Sequence, residues 1–181
     1  GVGPVFARKI ALKYPNLKEL FENKPIDSFA CEGVPNGVFE KIKMFKKNKI
    51  IENEIRFIRD NKIDVLSVLD DNYPMNLKQC YDAPFILFSK GNIDFENNRI
   101  ISIVGTRNIT SYGSGFVKEL IQDLKKYNPL IVSGYAYGAD ICAHLAALEN
   151  DLQTVAVLGQ SLETTYPKVH KKYNNLVMEN G

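Results

Sequence analysis

The sequence predicts an α/β protein: a parallel sheet covered by helices on both faces, preceded by a small all-α module. Three observations carry this reading. From Arg99 onward, short apolar β-rich runs alternate with helix-length segments, the signature of consecutive β-α-β units. Before Asn61, apolar residues recur at three- and four-residue spacing, the period of helices with one buried face. Between these regions the period shortens and two strand-like runs flank an acidic, proline-containing connection.

Taken in order, helices are expected over Val2 to Tyr14, Leu17 to Asn23, Ile26 to Cys31 and Val38 to Asn61, broken at Pro15, Pro25 and Gly33-Val34-Pro35. Such short helices must pack on one another, so residues 1–61 form a first domain. Residues 62–98 form a connection with strand-like runs at Val65 to Leu69 and Phe85 to Phe88, the second a candidate fourth strand of the sheet. Residues 99–181 form the sheet domain. Its strands are expected at Ile100 to Val104, Leu130 to Ser133 and Thr154 to Leu158, and its helices at Gly113 to Lys126, Ala139 to Glu149 and Val169 to Glu179. Three or four strands are few for a doubly wound fold, so this domain is expected to be incomplete at the C-terminus.

Composition bounds the function. Of the 181 residues 45% are apolar, ample for a buried core, and the formal charge of +2 is too near neutral to imply a polyanion partner by itself. The charge is segregated, however. Basic residues outnumber acidic ones from Gly1 to Ile50, the order reverses from Ile51 to Ile100, and the remainder balances. Three widely spaced cysteines (Cys31, Cys80, Cys142) and two histidines support neither a disulfide framework nor a metal site. No apolar run approaches the roughly 20 residues needed to span a bilayer, and no charged-then-apolar signal opens the chain. A reducing, cytoplasmic setting without membrane attachment is the expectation.

In an open parallel sheet, ligands sit beyond the carboxyl ends of the strands. Each expected strand ends there in a glycine: Gly105, Gly134 and Gly159. The first loop, Gly105-Thr106-Arg107-Asn108-Ile109-Thr110-Ser111-Tyr112-Gly113, leads into a helix with Thr110 or Ser111 available as N-cap, so backbone N–H groups and the positive helix end face the crevice. The second, Ser133-Gly134-Tyr135-Ala136-Tyr137-Gly138-Ala139-Asp140, has two glycines that permit close backbone approach. The third runs from Gly159 through Tyr166-Pro167-Lys168, with Lys171 and Lys172 following. Fixed donors with several cations point to phosphate. A nicotinamide dinucleotide is disfavoured, because G-x-G-x-x-G is absent after Val104. No other cofactor is called for.

Arg107 at the first bend sharpens the choice. A forked guanidinium suits phosphate exposed along a backbone, which single-stranded nucleic acid offers, and Tyr112, Tyr135, Tyr137 and Tyr166 lie close enough in sequence to stack on bases. The competing reading of Arg107 is a structural cap on a carboxylate such as Asp140. The tyrosines can equally be packing groups. His144, among Ala143, Leu145 and Ala146, reads as a buried hydrogen-bonded histidine rather than a base. No nucleophile, base and orienting group stand at recognisable spacing, so catalysis is not expected. At the other end, Gly1 to Ile10 and Glu32 to Ile42 have the look of paired helix-hairpin-helix (SAM-like) elements, with structural packing and DNA contact both open as roles.

With these residues in view, the chain resembles the DprA/Smf family of DNA-processing proteins. The G-S/T-R loop and Thr-x-Tyr-Gly of that family stand as Gly105-Thr106-Arg107 and Thr110-Ser111-Tyr112-Gly113; its S-G-x-A-x-G-x-D-x-x-A-H run stands as Ser133 to His144; its T-x-A-V-L-G segment and Tyr-Pro stand as Thr154 to Gly159 and Tyr166-Pro167. One departure is His170, where the family usually carries asparagine. The resemblance implies a Rossmann-like domain that continues past Gly181, dimerisation in the full-length protein, and single-stranded DNA and the RecA recombinase as partners in natural transformation. The DNA-binding residues it implies are Gly105, Thr106, Arg107, Thr110, Tyr112, Gly113, Gly134, Gly138, Lys168 and Lys171. A rival class is a Rossmann-like enzyme hydrolysing nucleoside monophosphates, but the Pro-Gly-Gly loop and catalytic glutamate typical of such enzymes are not found.

Overall fold

Proline and glycine set the start of the first helix. Helix α1 (Pro4–Lys13) begins on a proline, whose missing N–H is one the first turn leaves unpaired in any case. A computed structural model describes residues 2–14, 16–21, 30–45, 49–96 and 99–180 of the chain. A 3₁₀ turn (Leu17–Phe21) and α2 (Asn36–Met44) complete a small core in which Ile10, Leu20, Val34, Val38 and Phe39 are buried. Gly33 supplies the positive φ (69°) for the turn into α2. The expected helix from Ile26 to Cys31 lies mostly outside the described residues, as does Gly1 of the first hairpin element.

The single helix expected from Val38 to Asn61 is two: α2 ends where Phe45 turns extended, and α3 spans Lys49–Asp60. Strand β1 (Asp64–Ser67) pairs antiparallel with β2 (Ile86–Ser89) in the register Val65 to Phe88 and Leu66 to Leu87. This corrects the expectation that Phe85 to Phe88 extends the parallel sheet. The intervening segment holds only the single-turn α4 (Met75–Lys78) and doubles back, with the buried Tyr73 donating its hydroxyl to the Pro84 carbonyl at 2.7 Å. Burial raises the Tyr73 pKa, against the opposing influence of Arg8. Arg8 of α1 donates to the carbonyls of Lys78 and Cys80, both at 3.3 Å, and so caps α4 from the helical side.

The chain divides into two compact units, Gly1–Ser89 and Lys90–Gly181. In the second, β3 (Ile100–Ser102), β4 (Leu130–Ser133) and β5 (Thr154–Ala156) form a parallel sheet in that spatial order. Helix α5 (Ser111–Leu124) joins the first two and α6 (Ala139–Glu149) the second two. Because the strand order follows the chain, right-handed connections bring both helices to one face. Their shared core contains Val117, Ile121, Ile131, Cys142, Ala143, Ala146, Ala147 and Leu152, with Ile101 and Ile103 against it. Alanines at 143, 146 and 147 let α6 approach the sheet closely. Beyond β5 the expected helix from Val169 begins as a 3₁₀ turn (Lys168–Tyr173) and becomes α-helical only as α7 (Asn174–Asn180).

Candidate functional site

The three strand-end loops gather at one edge of the second unit, as a parallel sheet requires. In the first, Thr110 rather than Ser111 is the N-cap of α5: its Oγ1 accepts the Gly113 N–H at 3.1 Å. Gly113 leaves no spare room, since a Cβ there would lie 3.1 Å from Ile109 Cγ1. Thr106 performs a similar local service, its Oγ1 accepting the Asn108 N–H at 3.1 Å. Among the described residues the N–H groups of Ser111 and Tyr112 make no hydrogen bond, which leaves donors of the α5 N-terminus open to solvent.

Arg107 is exposed, and its guanidinium has no hydrogen-bond or ion-pair partner among the described residues. The carboxylate that a structural cap would need is engaged elsewhere. Asp140 is buried beneath the second loop and its Oδ2 accepts the Ala136 N–H at 3.2 Å. The structural-cap reading of Arg107 is therefore not realised.

The glycines of the second loop serve the fit between loops. Ala139 donates its N–H to the Thr106 carbonyl at 3.0 Å, drawing the first and second loops together. Gly138, with φ at 78°, is pressed against that carbonyl and against the Arg107 backbone, while a Cβ on Gly105 would come within 2.7 Å of the Ala139 Cβ. Ile141 and Cys142 also spend their N–H groups within the loop, on Ala136 and Gly138. A Cβ on Gly134 would meet Asp140 Oδ2 at 2.8 Å, so buried negative charge lies directly below that glycine. Exposed cations stand on the two outer loops of the three: Arg107 on the first, and Lys168 with Lys171 on and just after the third.

Of the four tyrosines, Tyr112 is 84% exposed, Tyr166 61% and Tyr137 45%, and each presents a ring to solvent. Tyr135 does not. It adopts a left-handed φ of 63°, which turns its ring into the interior, and burial pushes its hydroxyl pKa up to about 12, with Tyr173 adding to the effect. The expectation of a base-stacking role for Tyr135 is corrected accordingly. Its hydroxyl meets the His170 carbonyl at 3.0 Å and Asn174 Oδ1 at 3.1 Å. His170, read from sequence only as a departure, is buried against it, and nothing local in the sequence signals the pairing across 35 positions.

His144 is the buried histidine its apolar neighbours predict. Thr154 donates its hydroxyl hydrogen to the Ile131 carbonyl at 3.0 Å, so its oxygen can only accept from His144 Nδ1 at 2.7 Å. Nδ1 therefore carries the proton, and Nε2 is buried with no partner. Burial lowers the pKa to about 4; the Asp140 carboxylate opposes this and His170 reinforces it.

Fold and loops together define a Rossmann-like α/β protein with cation-bearing loops at its strand tips. A family model described as DNA recombination-mediator protein A matches residues 64–181, and the chain belongs to that family. It is 41% identical over 116 residues to the DNA processing protein DprA of Streptococcus pneumoniae, covering 64% of this chain and 41% of that protein. It is 33% identical over 133 residues to the protein Smf of Borreliella burgdorferi, covering 74% of this chain and 42% of the other. The X-ray structure of the S. pneumoniae protein superposes with a TM-score of 0.73 at 30% identity, covering 96% of this chain and 59% of that one. DNA processing protein A from Helicobacter pylori, solved for its single-stranded DNA binding mode, gives 0.58 at 29% identity, covering 66% and 53%. The chain spans less than half the length of the curated relatives it matches. Among the described residues no helix is long and apolar enough to cross a membrane.

Proposed function

We propose that the crevice at the tips of β3, β4 and β5 binds single-stranded DNA, and that the chain belongs to a cytoplasmic protein that protects incoming strands and loads the RecA recombinase in natural transformation. Arg107 carries this reading: an exposed guanidinium, unpaired among the described residues and beside open amides of a helix N-terminus, is arranged for an anion with accessible oxygens. Lys168 and Lys171 continue the positive track, while Tyr112, Tyr137 and Tyr166 offer stacking faces beside it. Thr106, Thr110, Gly105, Gly113 and Gly138 shape the first two loops, and Gly134, above the Asp140 carboxylate, contributes shape rather than a phosphate contact. The binding mode described for the H. pylori relative supports the same ligand class. The full-length protein is taken to dimerise. We read it as a binding protein without turnover, so incubation with nucleoside monophosphates should release no free base.

Titration of a fluorescent oligothymidylate against Arg107→Ala tests the assignment. Affinity should fall and the salt slope should drop by about 0.7, the amount expected for one lost phosphate contact. Unchanged affinity and slope would remove Arg107 from the site.

A further inference from the structure

The second and third loops are held together by one reciprocal pair. The Tyr135 carbonyl accepts from His170 Nδ1 at 2.9 Å, and the Tyr135 hydroxyl lies 3.0 Å from the His170 carbonyl. Since a carbonyl only accepts, His170 must carry its proton on Nδ1 in this arrangement. The same hydroxyl meets Asn174 Oδ1, and Asn174 Nδ2 reaches back to Thr165 Oγ1 at 2.7 Å, so residues on both sides of the turn Lys168–Tyr173 are tied to each other and to Tyr135. The rings add a clasp. Tyr135 and Tyr137, two positions apart, both lie edge-on to His170 with centroids 5.4 and 5.3 Å away.

His170 sits in the middle of the 3₁₀ turn Lys168–Tyr173, with Lys168 and Lys171 exposed on either side of it. A six-residue 3₁₀ turn has poor intrinsic hydrogen bonding and would fluctuate without an anchor. A non-glycine residue at positive φ is itself disfavoured, and persists only where surrounding contacts over-determine it. The network around Tyr135 supplies those contacts.

We infer that Tyr135 and His170 are positioning residues for the DNA crevice: they fix the lysine-bearing turn relative to the second loop, so that Lys168 and Lys171 meet phosphates without first being ordered. This rests on the reading of the crevice given above. Pre-ordering lowers the entropic cost of binding, so loss of the pair weakens affinity although no charge is removed.

A double-mutant cycle tests it. Lys168→Ala/Lys171→Ala is measured first, and should weaken oligothymidylate binding and reduce the salt slope. Tyr135→Phe keeps the ring and removes the hydroxyl; in the native background it should weaken binding about threefold to tenfold, and in the double-lysine background by less than about twofold, because it acts through those lysines. Equal weakening in both backgrounds, or none in the native one, overturns the inference while leaving the crevice reading intact. Unchanged binding by the double-lysine variant overturns the third-loop contacts and the positioning role together. Should Tyr135→Phe fail to fold, Asn174→Ala, which removes one acceptor for the same hydroxyl, goes through the same cycle and is judged by the same outcomes.

Discussion

The carbonyl oxygen of Thr106 occupies the space that a Cβ on Gly138 would fill, and it also accepts the N–H of Ala139 at 3.0 Å. Two loops separated by more than thirty residues are thereby closed on each other without a side chain between them. Gly138→Ala should cost at least about 2 kcal/mol, from positive φ and from displacing the Thr106–Arg107 backbone. It should also weaken single-stranded DNA binding by shifting Arg107. Urea midpoints with oligonucleotide titration measure both, and a variant of native stability would show that the loops do not depend on this contact.

The N-cap of α5 is open to a simpler test. Thr110→Ala removes the acceptor for the Gly113 N–H and should destabilise the second unit by about 1 kcal/mol, whereas Thr110→Ser should restore most of the loss. Thermal denaturation of the three proteins decides. An alanine variant melting with the native protein would mean that solvent caps the helix equally well.

His144 predicts a pH dependence of definite sign. In the native state its pKa is lowered to about 4 from the ordinary 6.5. Between these values the unfolded chain binds a proton that the native chain refuses, so stability falls as pH drops through that window and is unaffected by His144 above it. The loss has an upper bound of about 3 kcal/mol. Denaturation midpoints from pH 7 to 4 should therefore fall more steeply for the native protein than for His144→Asn, which retains a donor for Thr154. Parallel curves would refute the buried neutral state.

Arg8 bears on where the chain can be cut. Its two hydrogen bonds to Lys78 and Cys80 tie α1 to the segment carrying β1 and β2. Arg8→Ala should cost about 1 kcal/mol, the contacts being partly exposed, and should speed amide exchange across residues 73–83. Deleting residues 1–61 would strip β1 and β2 of this support. Deleting residues 1–89 should leave a folded α/β unit that retains most of its affinity for single strands. Complete loss of binding by that shorter chain would transfer the DNA site to the helical unit.

Much of this protein is written in short-range pattern. The strand Leu130–Ser133 and the helix Ala139–Glu149 stand where apolar periodicity and flanking glycines place them, and Thr110 caps its helix because a hydroxyl three positions before a free N–H is a local geometric fact. The glycines at the strand tips, the exposed Arg107 and the burial of His144 among alanines are legible for the same reason: each depends on residues a turn or less away. Tertiary packing alone decided the rest. Phe85 to Phe88 has a composition that suits either sheet, and its partner was set by how the Tyr73 segment doubles back. Tyr135 looks like any loop tyrosine until its positive φ and its pairing with His170, 35 residues on, turn it inward. Periodicity and turn chemistry are fixed by neighbours along the chain, whereas pairing and burial are settled by which distant surfaces exclude water together, and that competition is resolved only in three dimensions.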